Sequence, residues 1–344
     1  MLLFNSDNGY LEGIVRGFKA GLITQPQYSS LTQCESLDDF RMQLTATDYG
    51  NFLANEPLSI STTTIAQKAT QKLVDEFMYL KSNSVQPLTK FLDYMTYAYM
   101  IDNVVLLITG TLHERDTHEL LERCHPLGRF DTMATLCVAT NVEELYSTVL
   151  VESPLAPYFR ECVTAQDLDE LNIEIIRNTL YKSYLEDFHR FIMTLDSATI
   201  EVMSPILSFE ADRRALNITL NSLNASLSKD QRARLFPALG RLYPEGQAGL
   251  ARADDQDHVK AILDGVVEYR SFLDGSPSGE SSLEDHFFSY EVALNKKSFL
   301  QQFQYGVFYG FFKLKEQEIR SLTWIAECIA QDAKDRINDY IPTF

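Results

Sequence analysis

The chain has 344 residues, 45% of them hydrophobic and 23% charged, which excludes a disordered, collagen-like or disulfide-built protein and exceeds the usual size of one hydrophobic core. A formal net charge of −18 excludes a phosphate-backbone partner, so no nucleic acid is expected, and it favours basic docking surfaces such as the Lys- and Arg-rich cytoplasmic loops of membrane proteins. Five widely spaced cysteines without a CxxC pair fit thiols kept reduced in a cytosolic setting.

In chain order, the opening residues lack the basic region and apolar core of a signal or transit peptide. Helix starts are predicted where a capping side chain precedes acids, at Ser36 before Leu37, Asp38 and Asp39, and at Thr164 before Gln166 and Asp167. The longest apolar stretches, residues 104–108 and 306–312, fall well short of the roughly 20 needed to cross a bilayer, so membrane association is expected to be peripheral. Apolar residues recur at three- and four-residue steps over 171–185, and strand-like alternation is nearly absent. The fold is therefore read as all-α. A break is predicted at 243–246 and a loop at 275–282, where Gly, Pro and Ser cluster.

The chain also resembles itself. Acidic helix openings begin at Leu37, Val142 and Gln256, 105 and then 114 residues apart. Each is followed by a polar cluster entering an apolar helix: Asp102 and Asn103; Glu210, Asp212, Arg213 and Arg214; Glu316, Glu318 and Arg320. After the first two clusters comes a third landmark, HPLGRF at 125–130 and PALGRL at 237–242. These landmarks predict three related helical units of about 110 residues each. They are placed at 31–135, 136–247 and 248–344, with residues 1–30 completing the last. Acidic helix openings are common enough that unrelated segments remain the competing reading.

Catalytic patterns are mostly wanting. There is no Gly-Lys pair for a P-loop, no GxGxxG and no GxSxG, and no cofactor is expected. His113 and His118, with Cys124 and His125 close behind, approach a zinc-hydrolase motif. The second histidine arrives one residue late, about 140° around a helix from the first. The acid pairs Asp38/Asp39 and Glu143/Glu144 suit helix N-termini better than acid–base chemistry. The three polar clusters either meet a partner once per unit or make ion pairs and caps within their own unit. Trp324, Glu327 and Cys328 sit in an apolar run, where Trp324 is either core or interface anchor and Glu327, an acid among apolar neighbours, needs a partner.

Several long segments are similar to one family: DNGYLEGIVRG (7–17), TDYGNFLANE (47–56), YMIDNVVLLITG (99–110), FEADRR (209–214), WIAECIAQ (324–331) and the closing YIPTF (340–344). They resemble the d subunits of V-type proton ATPases, related to the C subunits of archaeal and bacterial V/A-type ATPases, over almost the full chain. Thr343 in place of an expected isoleucine, a short N-terminus and the loop at 275–282 are the departures. The resemblance implies three similar helical domains around a pseudo-threefold axis, forming a funnel on the cytoplasmic face of the proteolipid c-ring. It further implies a non-catalytic adaptor that receives the central stalk (the D and F subunits), works beside the large membrane-sector a subunit and passes torque for proton transport. The implied location is the cytoplasmic face of acidified endomembranes: vacuole, lysosome, endosome and Golgi. A general helical-repeat scaffold, and a zinc hydrolase built on His113, His118 and His125, are the alternatives.

Overall fold

The computed structural model describes residues 2–50, 52–53, 56, 60–113, 115–131, 133, 153–160, 173–223, 227–273 and 282–344. Among them are fourteen α-helices and no strand, in agreement with the all-α reading. The acidic opening at Val142, the cap at Thr164 and most of the loop at 275–282 lie outside the described residues.

The helices are α1 (Leu2–Ala20), α2 (Gln25–Leu31), α3 (Leu37–Leu44), α4 (Thr62–Ser82), α5 (Leu88–Leu112), α6 (Thr117–Arg123) and α7 (Ala156–Arg160). They continue with α8 (Ile173–Ile192), α9 (Ser197–Ser222), α10 (Lys229–Leu235), α11 (Glu245–Arg252), α12 (Gln256–Leu263), α13 (Leu283–Lys297) and α14 (Gly306–Ala330). Two compact units emerge: Met1–Thr89 with Gly279–Phe344, and Lys90–Ser278.

In the first unit, α14 packs along α4, α13 and α1. Ser36 and Ser61 start α3 and α4 by accepting the Asp39 and Thr64 backbone N–H groups, which satisfies donors that a helix start leaves open. On α4, Ile65, Ala69, Leu73, Phe77 and Leu80 recur at helical spacing and are all buried. Ile65 and Ala69 join a core built from both ends of the chain, in which Tyr28, Phe40 and Tyr49 meet Leu322, Ile325 and Ala326. Each buried Leu, Ile or Phe among them contributes about 1.5–3 kcal/mol on burial.

In the second unit, α8 and α9 form an antiparallel pair whose turn is capped by Asp196, accepting from Thr199 N. Against α8 lies α5, through Tyr94 stacked on Phe188 at 5.0 Å and Tyr181 donating to the Ala98 carbonyl at 3.1 Å. Asp187 ties the aromatic group together by accepting from both Tyr94 and Tyr158 at 2.9 Å. Residues 88–110 are long and apolar enough to cross a membrane by length and composition, a stretch longer than the uninterrupted apolar runs suggested. Its most apolar window is 67% buried inside the protein, as expected of a core helix.

Candidate functional site

On three long helices, a polar residue with several hydrogen-bonding atoms falls on the face that the apolar spacing turns inward. Such a group must find hydrogen-bond partners or destabilise the fold by about 1–3 kcal/mol. Each finds them in a segment brought back across its own unit.

Asp212 of α9 is fully buried. Its carboxylate accepts the backbone N–H groups of Arg241 at 2.8 Å and Leu242 at 3.1 Å, and the hydroxyl of Tyr269 at 2.7 Å. Burial pushes its carboxyl up to about 6, against the opposing pull of these donors. Gly240 makes the approach feasible: its φ is +113°, and a Cβ there would lie 2.2 Å from Asp212 Oδ1.

Asn103 of α5 does the same for the first landmark. Its amide donates to the His125 carbonyl at 2.9 Å and accepts the His125 N–H at 2.8 Å. Gly128 stands where Gly240 stands in the second landmark, and its Cβ would lie 2.6 Å from Asn103 Nδ2.

Glu318 of α14 is clamped by the beginning of the chain. It accepts the Ile23 N–H at 2.5 Å, the Tyr49 hydroxyl at 2.7 Å and the Lys315 ammonium at 2.8 Å. Both members of the Lys315–Glu318 pair are out of solvent, with side chains 1% and 0% exposed, and the Lys315 ammonium also lies 4.1 Å from the centre of the Tyr49 ring. Ile23 follows Gly21 by two residues, as Leu242 follows Gly240; Tyr49 comes 26 residues after Ile23, and Tyr269 comes 27 after Leu242. Residues 21–49 thus supply to α14 what residues 240–269 supply to α9.

The other predicted residues surround these clamps. Asp102 is exposed and pairs with Arg177 at 3.2 Å. Glu210 holds Arg213 at 2.5 Å and Arg214 at 2.9 Å, and the Arg214 guanidinium lies 3.2 Å from the centre of the Tyr181 ring. Glu316, bonded to Lys313 at 3.0 Å, has its carboxyl pushed up to about 7 by burial. Arg320 covers the Phe288 ring at 4.1 Å.

Trp324 is half-buried; its indole N–H donates to the Arg336 carbonyl at 3.0 Å, and the Arg336 guanidinium lies 4.9 Å from the ring. Cys328 is buried and its thiol is pushed up by that burial. Glu327 corrects an expectation: it is exposed and requires no buried partner, because each residue advances about 100° around the helix and its apolar neighbours face the other way.

The three histidines of the zinc reading do not converge. His113 and His118 are exposed, and His125 uses Nδ1 to accept the Leu127 N–H at 3.2 Å while its ring stacks on Tyr99 at 4.1 Å. Among the described residues no three His, Cys, Asp or Glu side chains are placed to hold a metal ion.

Sequence reasoning missed Tyr49, Tyr269, Ile23 and Lys315. Their signal was the Gly-x-Leu/Ile step followed by a tyrosine 26 or 27 residues on, a faint pattern unless the chain's start is compared with its middle.

Two buried carboxylates and one amide, each bonded to backbone that returns across its own unit, are the features of a structural component that holds shape. The sequence model described as ATP synthase (C/AC39) subunit matches residues 11–340. The chain is 56% identical to the d subunit of the V-type proton ATPase of Neurospora crassa, covering 100% of this chain and 99% of that one. It is 51% identical to the V-type proton ATPase d subunit of Saccharomyces cerevisiae, over 99% of both. A distant relative is the C subunit of the A-type ATP synthase of Pyrococcus abyssi, 20% identical over 94% of this chain and 87% of that one. The chain belongs to the family of V-type proton ATPase d subunits, and is a non-catalytic component of that membrane-associated complex.

Proposed function

We propose that this chain seats the central stalk on the proteolipid c-ring of the V-type proton ATPase and passes torque between them during ATP-driven proton transport. The observation that carries the reading is the recurring clamp at Asn103, Asp212 and Glu318, together with full-length family membership. A part that transmits torque must resist twisting, and close-packed helices tied to their own loops by buried hydrogen bonds deform little. The partners are the c-ring, the membrane-sector a subunit and the D and F subunits of the stalk, at the cytoplasmic face of vacuolar, lysosomal, endosomal and Golgi membranes. A net charge of −18 complements Lys- and Arg-rich cytoplasmic loops. Three helical domains near 31–135, 136–247 and 248–344, the last completed by residues 1–30, would form the funnel that receives the stalk. Asp102, Arg320 and Glu327 are exposed and half-buried Trp324 lies near the surface, so these residues are available to partners, whereas the clamp residues set the shape.

Affinity purification of the tagged chain from detergent-solubilised membranes, followed by mass spectrometry, tests the assignment. Recovery of the proteolipid of the c-ring and of the a subunit, with D and F when the complex is intact, is the expected result. Their absence under conditions that preserve the pump would return the chain to a general helical scaffold.

A further inference from the structure

In a chain of net charge −18, one turn of the unit formed by Met1–Thr89 and Gly279–Phe344 combines an exposed leucine with nearby lysines. The turn from α13 to α14 lifts Leu300 to 82% exposure, the highest of any large hydrophobic side chain among the described residues. This turn is held rigidly. Arg16 of α1 donates to the Phe299 carbonyl at 3.1 Å and the Gln301 carbonyl at 2.5 Å, one on each side of Leu300. Glu12, paired with Arg16 at 2.8 Å, accepts the Phe303 N–H at 3.0 Å. The buried Gln304 amide donates back to the Ser298 carbonyl at 2.7 Å. Phe303 itself adopts φ +61°, a left-handed conformation that a bulky residue keeps only where its surroundings impose it. A leucine held out in water by this network does nothing for the packing of its own unit.

Lysines lie near its neighbour Phe299 and the Phe344 ring. Lys19 and Lys296 share the Phe344 ring, at 3.9 and 5.1 Å from its centre, and Lys19 also approaches the Phe299 ring at 6.0 Å. Lys297, next in the chain after Lys296, is exposed. None of the three has a carboxylate within ion-pair distance among the described residues. Burial and the neighbouring Lys19 charge lower the Lys296 pKa from its ordinary value, so an incoming carboxylate relieves a repulsion already present.

We infer that this turn docks an acidic segment of another protein of the pump, with Leu300 entering an apolar socket and Lys19, Lys296 and Lys297 meeting carboxylates around it. A lipid surface fits less well. One leucine offers far less apolar area than a membrane-binding helix face, and the whole chain is repelled by anionic lipid. A pre-shaped turn, by contrast, suits a pre-shaped pocket, since little ordering is left to be done on binding. The inference is independent of torque transmission and takes from family membership only the pump as the place to look.

The test places a photo-crosslinking amino acid at position 300 of the full chain, assembled into the pump in native membranes. Irradiation is expected to join it to an acid-rich segment of another pump protein. Combining Lys19→Glu, Lys296→Glu and Lys297→Glu should lower that yield about tenfold. Where the triple variant fails to assemble, Lys297→Glu alone and the loss of crosslinking with rising salt read the same charge dependence. Crosslinks to lipid alone, to a segment without carboxylates, or to nothing in an intact pump would overturn the inference.

Discussion

Asp212 and Glu318 solve one structural problem with different electrostatics. Both are buried acids on long helices, and both accept backbone N–H and a tyrosine hydroxyl from a returning segment. Around Asp212 the nearest donors are neutral, and burial dominates its titration. Glu318 adds a buried counter-charge, Lys315, on the same helix. The geometry of a clamp can therefore persist while its charge balance changes, and the two versions should fail differently.

The largest effect is expected from Glu318→Gln, which removes the hydrogen-bonded counter-charge of the buried Lys315 ammonium and costs about 3–5 kcal/mol. Denaturant midpoints of the purified chain read this directly. A loss below about 1 kcal/mol would mean that the pair is solvated in solution. Gly240→Ala follows, at about 1–3 kcal/mol, because it combines a positive φ with a Cβ driven into Asp212. The equivalent change at Gly128 also meets the Tyr99 backbone, 2.4 Å from its Cβ, and should be comparably harmful.

Asp212→Asn turns one acceptor into a donor facing backbone N–H groups, and should cost about 1–3 kcal/mol. Hydrogen exchange at the Arg241 and Leu242 amides should quicken. Its pH dependence sharpens the comparison. Because the folded carboxyl sits near 6 and the ordinary value is 3.8, the folded state holds the proton more tightly. The stability this gives is full below about pH 4 and is lost as pH rises through about 6. The deficit of Asp212→Asn relative to the parent is therefore expected to be larger at pH 5 than at pH 7. A larger deficit at pH 7 would show that the donors outweigh burial. The smallest effect belongs to Trp324→Phe, about 1 kcal/mol for the lost bond to the Arg336 carbonyl, seen as a small midpoint shift.

Helical periodicity made the fold class legible, and the Leu-Gly-Arg landmarks marked the segments that return to Asn103 and Asp212, because both are local patterns. Facing was harder. Asp102 and Asn103 stand together in the first polar cluster of the sequence, yet only Asn103 is turned inward on α5, and one step along a helix is a turn of about 100°. Only the packing of a second helix decides which of two adjacent polar residues is buried. The Glu318 clamp was hidden for another reason. Its partners Ile23 and Tyr49 lie 295 and 269 residues away in sequence, a separation that no local periodicity spans. Trp324 was singled out by its rarity, but its hydrogen bond depends on the turn after α14 and carries no repeated signature.

Torque transmission is tested most directly by watching this chain turn. With the pump held by its static peripheral parts and a probe attached to an exposed site such as Met193, single complexes should show stepwise rotation of the probe on adding ATP. Rotation in register with a probe on the central stalk is the expected result. A stationary probe beside a turning stalk would contradict the account.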